Sequence, residues 1–165
     1  MNFILIDGSY YIFYRYHALC VWWKLAKQDD ETEIPFENER FIEKYKETFV
    51  GKIHEIEKKL KIKDAITYVG KDCPRKNIWR NKNIDDYKGG RESCNHMKLF
   101  FDIAYNNDNI NGTETNLFTQ AGCKRVIEEN NVEADDIIAL TSKHILLKYP
   151  DAKIWIITSD MDYLQ

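Results

Sequence analysis

Short apolar runs alternate with longer amphipathic segments along the chain. Three runs are continuous and apolar, which predicts strands buried on both faces of a parallel sheet; they are residues 3–6, 65–69 and 154–157. Apolar positions at spacings of three and four predict helices between these strands, over residues 9–27, 38–60, 92–106 and 137–149. Residues 123–127 fit either a strand or the continuation of a short helix at 117–121. This alternation predicts an α/β fold in which helices cover both faces of a mainly parallel sheet.

The segments between these elements are polar and predict loops. Three such segments are residues 28–38, 73–91 and 106–113. Residues 73–91 fit either a loop or a short helix, and residues 106–113 contain four asparagines. Ser9 directly precedes a helical pattern and is expected to be its N-cap. Trp79 is expected to pack in the core rather than to contact a ligand.

Composition excludes several classes of protein. The chain has 165 residues, 44% of them apolar, which suits one domain around one core. No run of apolar residues is long enough to span a membrane, and the start of the chain lacks the basic region of a secretory signal. The cysteines at positions 20, 73, 94 and 123 are far apart, which disfavours a zinc site or disulfide framework and favours a reducing compartment such as the cytoplasm.

Acidic residues follow four separate apolar segments. They are Asp7 after the first strand, Asp72 after the second, Glu133, Asp135 and Asp136 after the third apolar segment, and Asp160 and Asp162 after the last strand. The carboxyl ends of parallel strands share one sheet edge, so these seven acids are expected to converge there. An acid at one strand end is usually a turn former or a helix cap. Acids at four strand ends favour a site for Mg²⁺ or Mn²⁺, which prefer oxygen ligands.

Basic residues are concentrated in one segment although the net charge is −3. Residues 71–91 contain seven Lys or Arg and three Asp, with Trp79 and Tyr87 among them. Gly89 and Gly90 permit close approach of the backbone to a ligand, so Lys88 and Arg91 are predicted to contact phosphate. An aromatic ring in such a segment can stack on a base.

Four motifs together resemble the 5′→3′ exonuclease and flap endonuclease family, which includes the N-terminal nuclease domain of bacterial DNA polymerase I and phage 5′ nucleases. They occur in the order and with the spacing of that family, and the phage-type members are most similar because of the run at 86–91. The motifs are Ile-Leu-Ile-Asp-Gly-Ser-Tyr at 4–10, Tyr-Val-Gly-Lys-Asp at 68–72 with Asp-Tyr-Lys-Gly-Gly-Arg at 86–91, Val-Glu-Ala-Asp-Asp-Ile-Ile at 132–138, and Ile-Ile-Thr-Ser-Asp-Met-Asp at 156–162.

The resemblance implies a three-layer PIN-like (Rossmann-like) domain over residues 1–165, with a central mainly parallel sheet. The seven acids match the family's metal-ligand positions, although Asp72 follows Gly-Lys, where the family often has an apolar residue or a glycine. Lys88 and Arg91 match basic residues near the scissile phosphate and are the catalytic candidates. Tyr87 matches an aromatic residue that stacks on a terminal base, and Arg80 matches an arginine expected to contact phosphate. The family's C-terminal helix–three-turn–helix element is absent from these residues.

By the same resemblance the activity is a divalent-metal-dependent 5′→3′ exonuclease and structure-specific 5′ flap endonuclease. A water activated by metal would hydrolyse the phosphodiester, with two Mg²⁺ or Mn²⁺ ions in the complete protein. The expected partners are DNA with a free or flapped 5′ end and RNA primers, and the expected processes are DNA replication and repair. A monomer in the cytoplasm or a replication compartment, away from membranes, is expected.

Three other functions fit the same residues. A PIN-type ribonuclease would share the sheet and the acids and would prefer single-stranded RNA. A catalytically impaired DNA-binding fragment without the second metal site would bind flaps but not cut them. A metal-dependent phosphohydrolase would act on mononucleotides and leave DNA intact.

Overall fold

A computed structural model describes residues 1–26, 35–83, 95–110 and 113–164. The strands in these ranges are β1 (Asn2–Asp7), β2 (Ile66–Lys71), β3 (Asp108–Ile110), β4 (Thr113–Thr115), β5 (Arg125–Glu128) and β6 (Lys153–Ile157). The α-helices are α1 (Gly8–Ala26), α2 (Glu39–Leu60), α3 (Arg80–Asn83), α4 (Asn95–Tyr105), α5 (Leu117–Gln120) and α6 (Ala134–Lys148). Short 3-10 turns occupy Pro35–Glu37, Arg75–Asn77 and Met161–Leu164.

Four of these strands form one all-parallel sheet in the order β5-β2-β1-β6. In its register Asp7 lies opposite Gly70, and Ile6 lies opposite Ile157. The carboxyl ends of all four strands therefore meet at one side of the sheet, which we call the acidic edge. This arrangement confirms the predicted α/β fold, and residues 125–128 prove to be a strand rather than part of a helix.

Alternating side chains of β1 divide the core into two layers. Ile4 and Ile6 pack with apolar residues of α1, α2, α4 and α5, including Phe49 and Phe100. Phe3 and Leu5 face the other way and pack against α6. The sheet is thus covered on both faces, as its continuous apolar strands require.

Some boundaries differ from the sequence-based expectations. Helix α1 begins at Gly8, and the Tyr10 N–H donates to the Asp7 carboxylate over 3.0 Å, so Asp7 rather than Ser9 caps the helix. The polar stretch 106–113, expected to be only a loop, contains β3 and the first residue of β4; the two strands pair antiparallel, with Asp108 opposite Thr115.

Trp79 is also placed differently from the expectation. Its side chain is 41% exposed instead of buried in the core. The indole Nε1–H donates to the Asp136 carboxylate over 3.2 Å, and the ring lies beside the Arg80 guanidinium at 4.9 Å. An indole has a polar donor as well as an apolar ring, and here the donor determines its position.

None of the helices in the described ranges is both long enough and apolar enough to cross a lipid bilayer.

Candidate metal centre

The acidic edge collects carboxylates from all four strands of the parallel sheet. Asp7 is the last residue of β1, Asp72 directly follows β2, and Asp160 lies shortly after β6. The β5 strand leads to α6, whose first turn contains Asp135 and Asp136 and is preceded by Glu133. Residues Tyr87, Lys88 and Arg91 and the side chain of Asp162 lie outside the part of the chain that the structure describes.

Acids from three other segments affect the pKa of Asp7. Burial raises the pKa of its carboxyl group to about 6, against the lowering effect of the hydrogen bond from the Tyr10 N–H. The charges of Asp72, Asp135 and Asp160 are part of this rise. Because each of these charges acts on Asp7, the four carboxylates share one electrostatic environment, as the strand topology predicts.

Asp72 connects the starts of two helices. One of its carboxylate oxygens accepts from the Ser9 hydroxyl at 2.5 Å, and the other accepts from the Ala134 N–H at 2.7 Å. Both helices thus point an N-terminal turn toward this acid, where the positive end of the helix dipole favours a negative charge. Despite its unusual motif context, Asp72 therefore lies with the other acids.

Arg80 binds the acids at the start of α6. Its guanidinium donates to both Asp136 oxygens, at 2.8 and 2.9 Å, and to Glu133 at 2.6 Å. Asp135 lies 3.6 Å away. Burial alone would lower the pKa of Arg80, but its hydrogen bond to Asp136 and the neighbouring carboxylates raise it above its usual range. Arg80 thus neutralises part of the cluster, and its expected contact with phosphate stays a prediction.

The pKa values of the two adjacent acids in the first turn of α6 shift in opposite directions. Burial raises the pKa of Asp135, together with the charges of Asp136 and Glu133. Burial also acts to raise the pKa of Asp136, but hydrogen bonds from Arg80, the Glu133 N–H and Trp79 hold it below its usual value. Asp136 is therefore already paired, whereas Asp135 retains unfavourable charge that a cation could relieve.

The Tyr163 hydroxyl lies among these acids. This oxygen is buried and has no hydrogen-bond partner among the described residues. Burial raises the pKa of Tyr163, and the charges of Asp7, Asp135, Asp72 and Asp160 raise it further. A buried donor without a partner costs folding free energy, so a bound group with a hydrogen-bond acceptor at this position would be stabilising.

The donor set fits a hard divalent cation. The converging ligands are carboxylate oxygens, and the unpartnered Tyr163 hydroxyl beside them could donate to a ligand or to a water of hydration. In the described part of the chain, however, no three Asp, Glu, His or Cys side chains already stand in the arrangement of a coordination shell. Two of these acids, Asp72 and Asp136, accept hydrogen bonds from protein donors. Binding a cation here requires side chains to turn away from those donors.

A cleft of about 430 Å³ opens beside Asp72. Its walls include Ser9, Lys71, Tyr105 and Phe101. The Lys71 ammonium lies over the Tyr105 ring at 4.9 Å and pairs with Glu128 at 2.7 Å. A cavity of about 450 Å³ at the opposite edge, around Met1 and His144, contains none of the seven acids and has no place in this site.

Three residues of the site were not among its predicted members. They are Ser9, which hydrogen-bonds Asp72, and Tyr105 and Tyr163, whose raised pKa values reflect burial and the acidic charges. Tyr105 belongs to a helix that looked like core, and Tyr163 is one tyrosine among ten. Only their position in three dimensions brings them to the acidic edge.

Comparisons with known proteins agree on one family. A family model described as "5′-3′ exonuclease, N-terminal resolvase-like domain" matches residues 2–165. No curated protein matches the chain.

Solved structures with the same fold include two from bacteriophage T5. The T5 5′-exonuclease with zinc bound is 19% identical, with a TM-score of 0.55, over 99% of this chain and 51% of that one. The T5 flap endonuclease, in a complex with DNA and metal ions, is 18% identical, with a TM-score of 0.53, over 99% of this chain and 50% of that one. The chain therefore spans about half the length of the solved structures that it matches.

The fold, the order of the acidic motifs and the match over nearly the whole chain agree. This chain belongs to the 5′-3′ exonuclease family and comprises its N-terminal resolvase-like domain.

Proposed function

We propose that this domain carries the active site of a divalent-metal-dependent 5′ nuclease that hydrolyses phosphodiester bonds of DNA at a free or flapped 5′ end. The observation that carries the proposal is the convergence of Asp7, Asp72, Asp135 and Asp160 around the buried Tyr163 hydroxyl. Family membership supports the nuclease reaction. The T5 relatives, solved with divalent metal ions and with DNA, support a divalent cation and DNA as the substrate. The choice of Mg²⁺ or Mn²⁺ rests on the carboxylate ligands, which these cations prefer.

The residues of the acidic edge have different tasks in this reaction. When bound, two divalent cations would activate water and neutralise charge on the phosphate. Asp7, Asp72, Asp135 and Asp160 would hold them, together with Asp162. Glu133 and Asp136 lie closest to Arg80, which fixes the start of α6 and limits the repulsion among the acids.

Three residues of segment 84–94 complete the proposal from the sequence. Lys88 would stabilise the charge that develops on the non-bridging oxygens. Arg91 would hold an adjacent phosphate, and Tyr87 would stack on the terminal base.

Cleavage of a 5′-flap DNA under single-turnover conditions tests the proposal. Wild type should cut with Mg²⁺ or Mn²⁺ and stop with a chelator, and Asp135→Asn should abolish cleavage while retaining binding. Asp151→Asn is the matched control, because Asp151 is exposed in the turn before β6, at the opposite edge of the sheet. Cleavage of single-stranded RNA but not of flap DNA would instead indicate a ribonuclease. Hydrolysis of mononucleotides alone would indicate a phosphohydrolase.

The same assay separates the roles of the basic residues. Lys88→Ala should lower the single-turnover rate by roughly 10²–10³ without a large loss of affinity, since it acts on charge in the transition state. Arg91→Ala should instead weaken binding and reduce the salt dependence of affinity by about one unit of slope. A wild-type rate for Lys88→Ala at saturating enzyme would contradict a catalytic role for this segment.

A further inference from the structure

The face of the parallel sheet that packs against α6 is only partly covered. One helix is about 10 Å wide with its side chains, whereas four strands spaced about 4.8 Å apart span roughly 14 Å between the outer two. Among the described residues, α6 is the only long helix that packs on this face, while α1, α2, α4 and α5 share the other face. Part of the apolar sheet surface on the α6 side therefore stays uncovered.

This uncovered surface lines a cavity of about 450 Å³ beside β2 and β5, which we call the α6 groove. The strands contribute Phe3, Ile66, Tyr68 and Ile127 to its lining, and α6 contributes Leu140. Ile66 and Tyr68 belong to an interior strand of the sheet, yet both are only half-buried. The continuous apolar sequence of β2 is typical of a strand covered on both faces, so the groove favours a further covering group.

The outer side of α6 extends this apolar surface beyond the groove. Leu140 is 64% exposed and Leu147 is 76% exposed. Because they are seven residues apart, they lie on the same side of the helix, about 10 Å apart along its axis. Exposed leucines at this spacing form a stripe on which another helix can pack its own apolar side chains.

The charged groups around the α6 groove are basic. Arg125 and Lys148 line it, and Lys143 and His144 are exposed on α6 between the two leucines. No described Asp or Glu lines the groove, and α6 has none after its first turn. Arg125 and Lys148 form no ion pair with a carboxylate in the described part of the chain, and the Lys148 ammonium lies over the Tyr149 ring at 5.5 Å. These two cations are therefore available to the carboxylates of a partner.

We propose that the α6 groove docks an amphipathic helix of a partner protein, with apolar side chains on one face and Asp or Glu beside them. The apolar side chains would enter the groove and contact the leucines of α6, and the carboxylates would pair with Arg125 and Lys148. The groove lies at the amino-terminal ends of the strands, opposite the acidic edge, so a docked partner leaves that edge open. The proposal does not depend on the proposed nuclease function.

Three other occupants suit the α6 groove less well. A second copy of this chain would place the same cations against one another in a symmetric contact. A nucleic acid would pair with the cations through its phosphates but would leave the exposed leucines in water. A lipid bilayer offers a flat surface, which cannot fill a concave cavity between a sheet and a helix.

Binding of a fluorescent peptide of roughly 18 residues tests the proposal. The peptide has Leu at helical spacings of three and four and Glu on both sides of that stripe, and its anisotropy is followed as protein is added. It should bind, and Leu140→Gln should weaken the affinity about tenfold, because the peptide then buries less apolar surface. Leu25→Gln is the matched control, since Leu25 is similarly exposed at the end of α1, on the other face of the sheet.

A second peptide, with Lys in place of every Glu, separates the role of charge. It should bind wild type far more weakly than the acidic peptide does, and Arg125→Glu should reverse part of this preference at low salt. Lys24→Glu changes an exposed lysine of α1 and should alter neither affinity. Equal affinities of the two peptides for wild type would overturn the proposal. So would a Kd above about 1 mM for the acidic peptide.

The same variants reveal the other occupants. Wild type and Leu140→Gln should sediment alike, and a dimer that Leu140→Gln dissociates would mean that the groove binds a second copy. Arg125→Glu should bind single-stranded DNA as wild type does in a chelator, and a clear loss of affinity would mean that the groove binds nucleic acid. Wild type should not sediment with phosphatidylglycerol vesicles, and co-sedimentation that Leu140→Gln abolishes would mean that it binds membranes. Each of these three contrary results would overturn the proposal.

Discussion

Asp7 serves two purposes that conflict when no cation is bound. Its carboxylate caps α1 through the Tyr10 N–H, yet burial and neighbouring acids raise its pKa to about 6 from an ordinary value of 3.8. When folding raises the pKa of an acid, the acid stabilises the fold fully at a pH below its unfolded-state pKa. This stabilisation is lost as the pH rises through its folded-state pKa. The pH window is thus from about 4 to just above 6. At 1.4 kcal/mol per pKa unit the loss is about 2–3 kcal/mol.

Asp7→Asn tests this conflict, because asparagine is an equally good helix cap without the charge. In a chelator at pH 7.5 the variant should be more stable than wild type by up to about 2–3 kcal/mol. At pH 4.5 the difference should be small. Urea unfolding at the two pH values measures it. Wild type that is at least as stable as the variant at pH 7.5 would contradict the clustering of acids around Asp7.

Arg80 has the opposite effect on stability, because it compensates buried charge. Glu133 is only 4% exposed, and its carboxylate receives the Arg80 guanidinium at 2.6 Å. Arg80→Met should therefore destabilise the domain by about 3–5 kcal/mol in urea unfolding without metal, as expected when one partner of a buried ion pair is removed.

A surface ion pair provides the control for Arg80→Met. Lys44 pairs with Glu47 on the exposed face of α2 at 2.9 Å, so Lys44→Met should cost less than about 1 kcal/mol. Because a divalent cation can neutralise the same carboxylates, Mg²⁺ should reduce the loss caused by Arg80→Met. Equal losses for the two variants would mean that Arg80 is only a surface charge.

The junction between β1 and α1 depends on a residue without a side chain. A Cβ atom on Gly8 would collide with the Tyr105 hydroxyl and lie 2.8 Å from the Gly70 carbonyl oxygen. Gly8→Ala must therefore displace α1 or α4 and should cost at least about 1–3 kcal/mol in denaturant unfolding. Gly51→Ala is the control, because nothing lies within 4 Å of a Cβ there. In the middle of α2 it should stabilise the domain by about 0.5–1 kcal/mol. Similar effects at both glycines would contradict the close packing at Gly8.

The main elements could be predicted because their patterns are local. Continuous apolar runs marked β1, β2 and β6, and the strand ends then placed the acids at one edge. Residues 125–128 stayed ambiguous, since a short apolar run fits a buried strand as well as a helix. The antiparallel pair of β3 and β4 was missed because its polar residues lack a period.

The partners of the acids could not be predicted, because they come from distant parts of the chain. Arg80 and Glu133 are 53 positions apart, and Ser9 and Asp72 are 63 apart. Trp79 was expected in the core on the strength of its apolar ring, but the Asp136 carboxylate holds its indole N–H near the surface. These hydrogen-bond partners are brought together only by the folded structure, so the spacing of residues in the sequence does not predict them.

At the scale of the molecule, the acidic edge makes folding without metal less favourable. Carboxylates from four chain segments repel one another, while Arg80 neutralises mainly those at the start of α6. The remaining acids gain from a bound cation, and a ligand that binds only the folded state stabilises it by mass action. The cost of keeping the acids together is thus offset when the cation arrives.

Thermal unfolding at pH 7.5 measures this coupling. At a hundredfold excess over Kd, Mg²⁺ or Mn²⁺ should stabilise the domain by about 2.7 kcal/mol, or roughly 5–10 °C in the midpoint. Monovalent salt at equal ionic strength should give a much smaller rise, since screening is weak for partly buried charges. Without the cation, Tyr163→Phe should unfold at a midpoint at least as high as wild type, because it removes a buried hydroxyl that has no partner among the described residues. With the cation it should show a smaller rise than wild type and a Tyr149→Phe control, because the cation's ligands or waters lose a donor. A wild-type midpoint that does not respond to millimolar Mg²⁺ or Mn²⁺ would contradict a metal centre at the acidic edge.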